Sequence, residues 1–411
     1  MDCKSIGMTI AALRKKEHLS QVELAKALNV SSKTVSKWEK GLGYPEITQF
    51  PALSEFFGVT IDFLMTGNRK GIAVAGNILT DLVKDIESFP QIGMLANITA
   101  MSRAVGGCVP NTGIDLSRID RSIPVSAFGR VGDDESGRYI LQQLGKSGIN
   151  VEGVSLSQTQ PTGFSDVISL PTGERTFFHN RGANREFSPD MVNISGLNCK
   201  ILHIGYLYLL DGFDAEDDEY GTVMARFLCN VRKHGIRTSI DMVSNDETKS
   251  RNKTVTVLPY CDYVIVNEIE ACSTWGLPPY DGQGKLIVEN IRCTMERMKE
   301  CGVKEKVIVH CKEAGFCLDC LTGEFLAMPS LDVPVSEIKG SVGAGDAFCA
   351  GCLYGIYNKM SNRGILSFAS AAAACSLFSA TSVDGMRSAA DIRKIESQFE
   401  RKKAEGLSYD C

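Results

Sequence analysis

The chain has 411 residues, 44% of them hydrophobic and 23% charged. That is the composition of a soluble globular protein, and the length exceeds what one growing hydrophobic core supports, so at least two domains are expected. The net charge of -5 divides unevenly: residues 1–70 hold ten Lys and Arg against seven Asp and Glu, leaving 34 against 42 for the rest, so a small basic unit suited to a polyanion is expected ahead of a larger acidic body. No signal-like apolar core opens the chain, and no run approaches the ~18 apolar residues of a membrane span. With fifteen scattered cysteines, an odd number, this excludes a membrane protein and an exported disulfide scaffold; a cytoplasmic protein with reduced thiols is expected.

The first ~65 residues read as short helices with boundary signals. Ser20 is placed to cap "QVELAKAL" and Ser31 to cap "SKTVSKWEK", which Gly41 ends. Val35 and Trp38 share a face with Leu24, Ala25 and Leu28 of the preceding helix, while Ser32, Lys33, Ser36 and Lys37 point away. Two helices joined by "NVS", with polar and basic groups outward, form a helix-turn-helix whose second helix suits a major groove of double-stranded DNA. The stretch "SQVELAKALNVSSKTVSKWEKG", followed by "LSEFFGVTIDFLM", resembles the Cro/repressor-like (XRE) helix-turn-helix family over residues 4–66. That resemblance implies that Gln21, Ser32, Lys33, Thr34 and Lys37 meet phosphates and base edges. The domain is expected over 1–67, with a linker at 68–71.

From there the pattern changes. "GIAVAG", "PVSAFG", "KILHIG", "RTSIDM", "DYVIVN" and "EKVIVH" are short runs rich in Val and Ile, as in buried parallel strands. Helical stretches such as "DESGRYILQQLGKSG" and "YGTVMARFLCNVRKHG" lie between them, so a doubly wound α/β sheet is expected over 72–400. The segment "TGFSDVISLPTGERTFFHN" reads as a hairpin turning at "PTGE", a lid or a dimer surface. "GFCLDCLTGEFLAM" reads as a second hairpin, on which Cys317 and Cys320 face opposite ways and share no metal. Cys349 and Cys352 read as small core residues.

The stretch "GSVGAGDAFCAG" (340–351) places glycines ahead of a helical pattern, with an acid in its first turn. A packing turn is one reading. The other is a phosphate site, because glycine lets a ligand approach the backbone and the first amides of a helix have no internal partner. On that reading Gly343, Ala344 and Gly345 aim N–H groups at a phosphoryl group, and Asp346 accepts a proton from an attacking hydroxyl.

"GNILTD" (76–81) at the end of the first strand, "GGCVPN" (106–111), "GRVGDDESG" (129–137), "NEIE" (267–270) and "GAGD" follow in this order. Together they resemble the ribokinase/PfkB carbohydrate kinase family over roughly residues 71–395. The resemblance implies a ribokinase-like doubly wound sheet with a small β lid, its strands near 85–100 and 162–180. It implies that Asp81, Gly106, Gly107 and Asn111 bind a sugar or sugar-like alcohol. Asn267 and Glu270 would hold Mg2+ and ATP phosphate oxygens, Glu270 through water. Asp346 would be the catalytic base, with Gly343, Ala344 and Gly345 as the anion hole. Gly340 and Ser341 depart from the family's Asp-Thr, which puts a monovalent-cation site in doubt, and His310, Cys311 and Lys312 stand where the family has Thr-Leu-Gly. Lys312 either meets nucleotide phosphates or lies on the surface. His179, Asn180 and Arg181 are unranked lid candidates. Two functions follow: an ATP-dependent sugar kinase fused to a DNA-binding domain, a homodimer responding to sugar, or a regulator whose kinase-like domain only senses a ligand.

Overall fold

The computed structural model describes residues 3–171, 174–243 and 250–403. Its contacts divide it into two compact units. The first runs to Gly71 and takes in Asn193–Lys200, a stretch inside the range 72–400 expected for the second unit. Among the described residues no helix is long and apolar enough to cross a membrane.

The first unit is all helical: α1 (Cys3–Lys16), α2 (Gln21–Ala27), α3 (Ser32–Glu39), α4 (Gln49–Phe57) and α5 (Ile61–Thr66). Ser20 and Glu23 cap α2 reciprocally, the Ser20 hydroxyl accepting from the Glu23 amide and the Glu23 carboxylate from the Ser20 amide at 2.7 Å. The Ser31 hydroxyl accepts from the Thr34 amide at 3.1 Å. These caps satisfy donors that a helix start leaves unpaired. Between the helices Ile6, Ile10, Leu24, Val35, Trp38 and Leu53 form a buried core.

The second unit is α/β. Its strands are β1 (Ile72–Gly76), β2 (Leu79–Ile86), β3 (Ile98–Gly106), β4 (Val125–Gly132), β5 (Asn150–Ser157), β6 (Gly163–Ser169), β7 (Arg175–Asn180), β8 (Ile201–Leu207), the two-residue pair β9 (Glu216–Asp217) and β10 (Gly221–Thr222), β11 (Arg237–Met242), β12 (Tyr263–Asn267), β13 (Lys306–His310), β14 (Ala314–Asp319) and β15 (Phe325–Pro329). The helices are α6 (Cys108–Ile119), α7 (Glu135–Lys146), α8 (Asp211–Asp214), α9 (Val223–Lys233), α10 (Ser250–Val257), α11 (Glu268–Ser273), α12 (Val288–Glu300), α13 (Ala344–Tyr357), α14 (Asn362–Ser376) and α15 (Ala389–Gln398). Nine strands form one sheet in the order β15-β14-β13-β12-β11-β8-β1-β4-β5. It is parallel from β5 to β13, and an antiparallel edge is added by β14 and β15. The six apolar runs read from the sequence are its central strands, and β1 is buried at every position, as a strand covered on both faces must be.

The lid is a second sheet, β3-β2-β6-β7. Its first strands lie at 79–86 and 98–106, so the range near 85–100 falls mostly on the connection between them. Asp81, expected at the end of the first strand, lies three residues into β2. The cause is Gly76, where β1 ends: its φ of +131° disfavours any L side chain, and a Cβ there would meet the Gly205 carbonyl oxygen at 1.5 Å. Asn77 and Ile78 bridge the two sheets, and the Asn184 side chain serves Ile78 as a neighbouring strand would: its Oδ1 accepts from the Ile78 amide and its Nδ2 donates to the Ile78 carbonyl, each at 2.8 Å. In the "PTGE" turn, Thr172 and Gly173 lie outside the described residues.

Replacing the cap of the second helix of the pair, Ser31→Ala, should lower the stability of the helical unit by about 1 kcal/mol. Denaturant unfolding followed by Trp38 emission in a Trp275→Phe background checks this.

Candidate functional site

A cavity of about 620 Å³ lies at the carboxyl ends of the central strands, with lid residues on one wall. This is where open α/β sheets bind ligands. Among the expected residues Asp81, Gly107, Asn111, Asn267, Glu270, Gly343, Ala344, Gly345 and Asp346 line it.

α13 opens on Gly343, whose φ is +81° and where a Cβ would stand 2.4 Å from the Ser382 carbonyl oxygen. Gly343 offers the helix no side-chain cap, so the first turn presents backbone and a partial positive charge. The Ala344 amide donates within a turn, to Ser341 O at 3.3 Å. Asp346 lies two residues further on and is 8% exposed. Its Oδ2 accepts from Asn111 Nδ2 at 2.9 Å and its Oδ1 from the Tyr206 hydroxyl at 2.7 Å. The Asn111 orientation is fixed in turn by Ser382, which donates to Asn111 Oδ1 at 2.9 Å. Burial pushes the Asp346 carboxyl up to about 6, and the Tyr206 and Asn111 donors hold it from rising further. Asp81 is pushed up to about 7, by burial first and then by the field of Asp346.

Gly106 does not line the cavity but makes it possible, since a Cβ there would meet Asp81 Oδ2 at 2.4 Å. Asn267 and Glu270 cap α11 reciprocally: Asn267 Oδ1 accepts from the Glu270 amide at 2.8 Å and Glu270 Oε2 from the Asn267 amide at 2.9 Å. The N-x-x-E spacing is therefore first a capping box, which locks both side chains to one wall. Asp241, at the end of β11, stands on the same cavity. Burial and the fields of Glu270 and Asp346 drive its carboxyl well above the usual range.

Sequence reasoning did not find Tyr206 or Asp241. Asp241 had a usable signal, an acid at the carboxyl end of the run "RTSIDM"; Tyr206 had none. In the lid, His179 and Phe177 line the cavity, and His179 Nδ1 shares a hydrogen bond with Ser165 Oγ at 3.1 Å. Asn180 is turned into the chain, accepting from the Gly182 amide at 2.9 Å, and Arg181 is ion-paired with Asp211. Lys312 pairs with Glu313 at 3.5 Å and lies over the Tyr280 ring, away from the cavity wall. His310 stands on that wall beside Gly345, its ring 4.8 Å from the Phe348 ring, and burial lowers its pKa to about 4, so it is neutral.

In the helical unit, Ser32, Lys33 and Lys37 stand exposed along α3, and the Thr34 hydroxyl shares a hydrogen bond with Ser31. Gln21 is differently engaged. Its Nε2 donates at 2.8 Å to Glu39 Oε2, which also receives Arg14 Nη2 at 3.0 Å, so its amide ties α2 to α3.

Residues 69–388 match the pfkB family carbohydrate kinase model, and residues 10–64 a helix-turn-helix model. The chain is 25% identical over 336 residues to a ribokinase of Schizosaccharomyces pombe, covering 81% of this chain and 98% of that one. It is 47% identical over 57 residues to the HTH-type transcriptional activator BcrR of Enterococcus faecalis, covering 14% of this chain and 28% of that one. The fold is similar to Arabidopsis thaliana ribokinase complexed with ribose and ATP, with a TM-score of 0.64, 20% identity, and coverage of 81% of this chain and 100% of that one. The large unit is thus a sugar-kinase domain, and an N-terminal helix-turn-helix domain is fused to it. The chain belongs to the pfkB family of carbohydrate kinases.

Because Gly343 combines a positive φ with contact on Ser382, Gly343→Ala should displace the start of α13 and weaken ATP binding by about tenfold or more. Calorimetric titration with ATP measures it.

Proposed function

We propose that this chain transfers the γ-phosphoryl group of ATP to a hydroxyl of a sugar or sugar-like alcohol, and that the same chain binds double-stranded DNA as a sugar-responsive transcription regulator. The observation that carries the kinase reading is Asp346: a buried carboxylate, ionised above about pH 6, in the first turn of a glycine-opened helix on a cavity wall. A domain that only binds has no use for such a base.

Sugar hydroxyls donate to Asp81 and bond Asn111, Gly107 gives the ring room, and Gly106 gives room to the Asp81 carboxylate. Asp346 takes the proton of the attacking hydroxyl, whose oxygen then bonds to phosphorus as the bond to the ADP oxygen breaks. The amides of Gly343, Ala344 and Gly345 serve as the anion hole, the Ala344 amide exchanging its 3.3 Å bond to Ser341 O for a phosphoryl oxygen. The donors present suit a hard divalent cation: Asp241 and Glu270 line one cavity, and the field of Glu270 raises the Asp241 carboxyl, so a positive charge between them would relieve the repulsion. Glu270 and Asn267 would hold Mg2+ and phosphate oxygens, Glu270 through water. Mg2+, when bound, neutralises charge on the phosphate oxygens. Lys33, Lys37, Ser32 and Thr34 face the DNA, with Gln21 supporting them through Glu39. The lid connection carries exposed Phe89, Ile92, Met94 and Leu95, a surface suited to a second copy. A homodimer would bring two helix-turn-helix units to paired half-sites.

The test is ADP release with a panel of pentoses, hexoses, ketoacid sugars and nucleosides; ligand binding without ADP release would establish the sensor instead. With the accepted substrate, Asp346→Asn should cut turnover by at least about 100-fold and leave ATP binding intact; near-normal turnover would remove Asp346 from the role of base. Lys33→Ala and Lys37→Ala should each weaken DNA binding and reduce the slope of log affinity against log salt by about one. Binding titrations over a salt series read both.

A further inference from the structure

Tyr206 belongs to no motif, yet it reaches Asp346 from β8 while Asn111 reaches it from α6. The titratable groups whose fields meet at this carboxylate are acids and thiols: Asp81 from β2, Cys108 and Asp115 from α6, Asp241 from β11 and Cys349 along α13. Glu270 and His310 complete the walls, and His310 is neutral. Burial opposes ionisation of Asp346, and hydrogen bonds are what favour it. The Tyr206 phenol is itself driven well above its ordinary pKa by burial and by Asp346, so it stays a donor throughout.

We propose, resting on the reading of Asp346 as the base, that Tyr206 is its positioning residue: the phenol hydroxyl fixes the carboxylate in one orientation and keeps it ionised where a substrate hydroxyl must be deprotonated. Tyr206 and Asn111 each take one of the carboxylate's roughly four lone-pair sites and Thr112 also stabilises the charged form, which leaves at least one site for substrate. Tyr206 keeps its own proton; the substrate proton goes to Asp346. This role is distinct from packing, because the ring alone would fill the space equally well.

The test uses the full chain with ¹³Cγ-labelled aspartate, no ligand, and the Asp346 resonance assigned by its loss in Asp346→Asn. The midpoint, expected near 6, should move up by about one unit in Tyr206→Phe, since removing a donor to the charged form disfavours that form. 3,5-Difluorotyrosine at position 206, a stronger donor, should move it down. An unmoved midpoint in both overturns the role. The acid limb of turnover with the substrate found in the panel should shift in the same direction, with the loss confined to low pH. Retained turnover in Asp346→Asn would overturn the base reading and this role with it. Lost turnover there, together with an unshifted midpoint in Tyr206→Phe, would overturn the role of Tyr206 alone.

Discussion

One constraint runs through the second unit: the Asp346 carboxylate is buried beside other acids, yet its pKa rises only to about 6, as the base proposed above requires. Moving an ionised carboxylate out of water costs several kcal/mol. Its rise to about 6 from an ordinary aspartate value corresponds to a residual penalty of about 3 kcal/mol. Hydrogen bonds to a charged group are worth about 1.5–3 kcal/mol each, so the donors from Tyr206 and Asn111 offset much of the burial. The positive end of α13 works in the same direction.

Several close approaches follow from that requirement. Asp81 reaches the cavity because Gly106 carries no side chain, and α13 begins where it does because Gly343 lets its backbone lie on Ser382. Ser382 orients Asn111, which in turn holds Asp346. The start of α13, Asn111 and Asp346 are therefore one connected set, and a change at Gly343 reaches Asp346 through Ser382 without touching it. The lid shares in this, since Asp81 sits on β2 and β2 starts only three residues after β1 ends. Asn184 holds that crossing through both Ile78 backbone groups.

What was legible in the sequence is what depends on neighbours in the chain. The Val- and Ile-rich runs gave the central strands, because a strand buried on both faces must be apolar throughout. Ser20 and Ser31 marked helix starts, whereas N-x-x-E was read only as a site implied by the family resemblance, and its capping box, which holds the two side chains on the wall, was not read. Tyr206 was not legible: it meets Asp346 across 140 positions, and nothing local separates it from any other tyrosine after a strand. The lid range near 162–180 holds β6 and β7, but the range near 85–100 mostly missed β2 and β3, because "GNILTD" looks continuous with the first strand until the positive φ at Gly76 is seen. Edge strand β5 was passed over for a related reason, since its mixed exposure lacks the unbroken apolar character of the centre.

The helical unit shows the limit of counting charge. Its basic excess suggested a polyanion partner, and Gln21 was grouped with the DNA-facing residues. Yet Arg14 is bound to Glu39 at 2.6 and 3.0 Å with both side chains nearly buried, and Gln21 donates to that same carboxylate. One of the ten basic residues is thus neutralised inside the fold, where it fixes α1 against the helix pair rather than reaching outward. Such a charge releases no counterions on binding, so it adds nothing to the salt dependence of DNA affinity. On the DNA-binding reading proposed above, the salt-dependent part of the affinity would fall to exposed lysines such as Lys33 and Lys37, while Arg14 and Gln21 hold Glu39 between the helices.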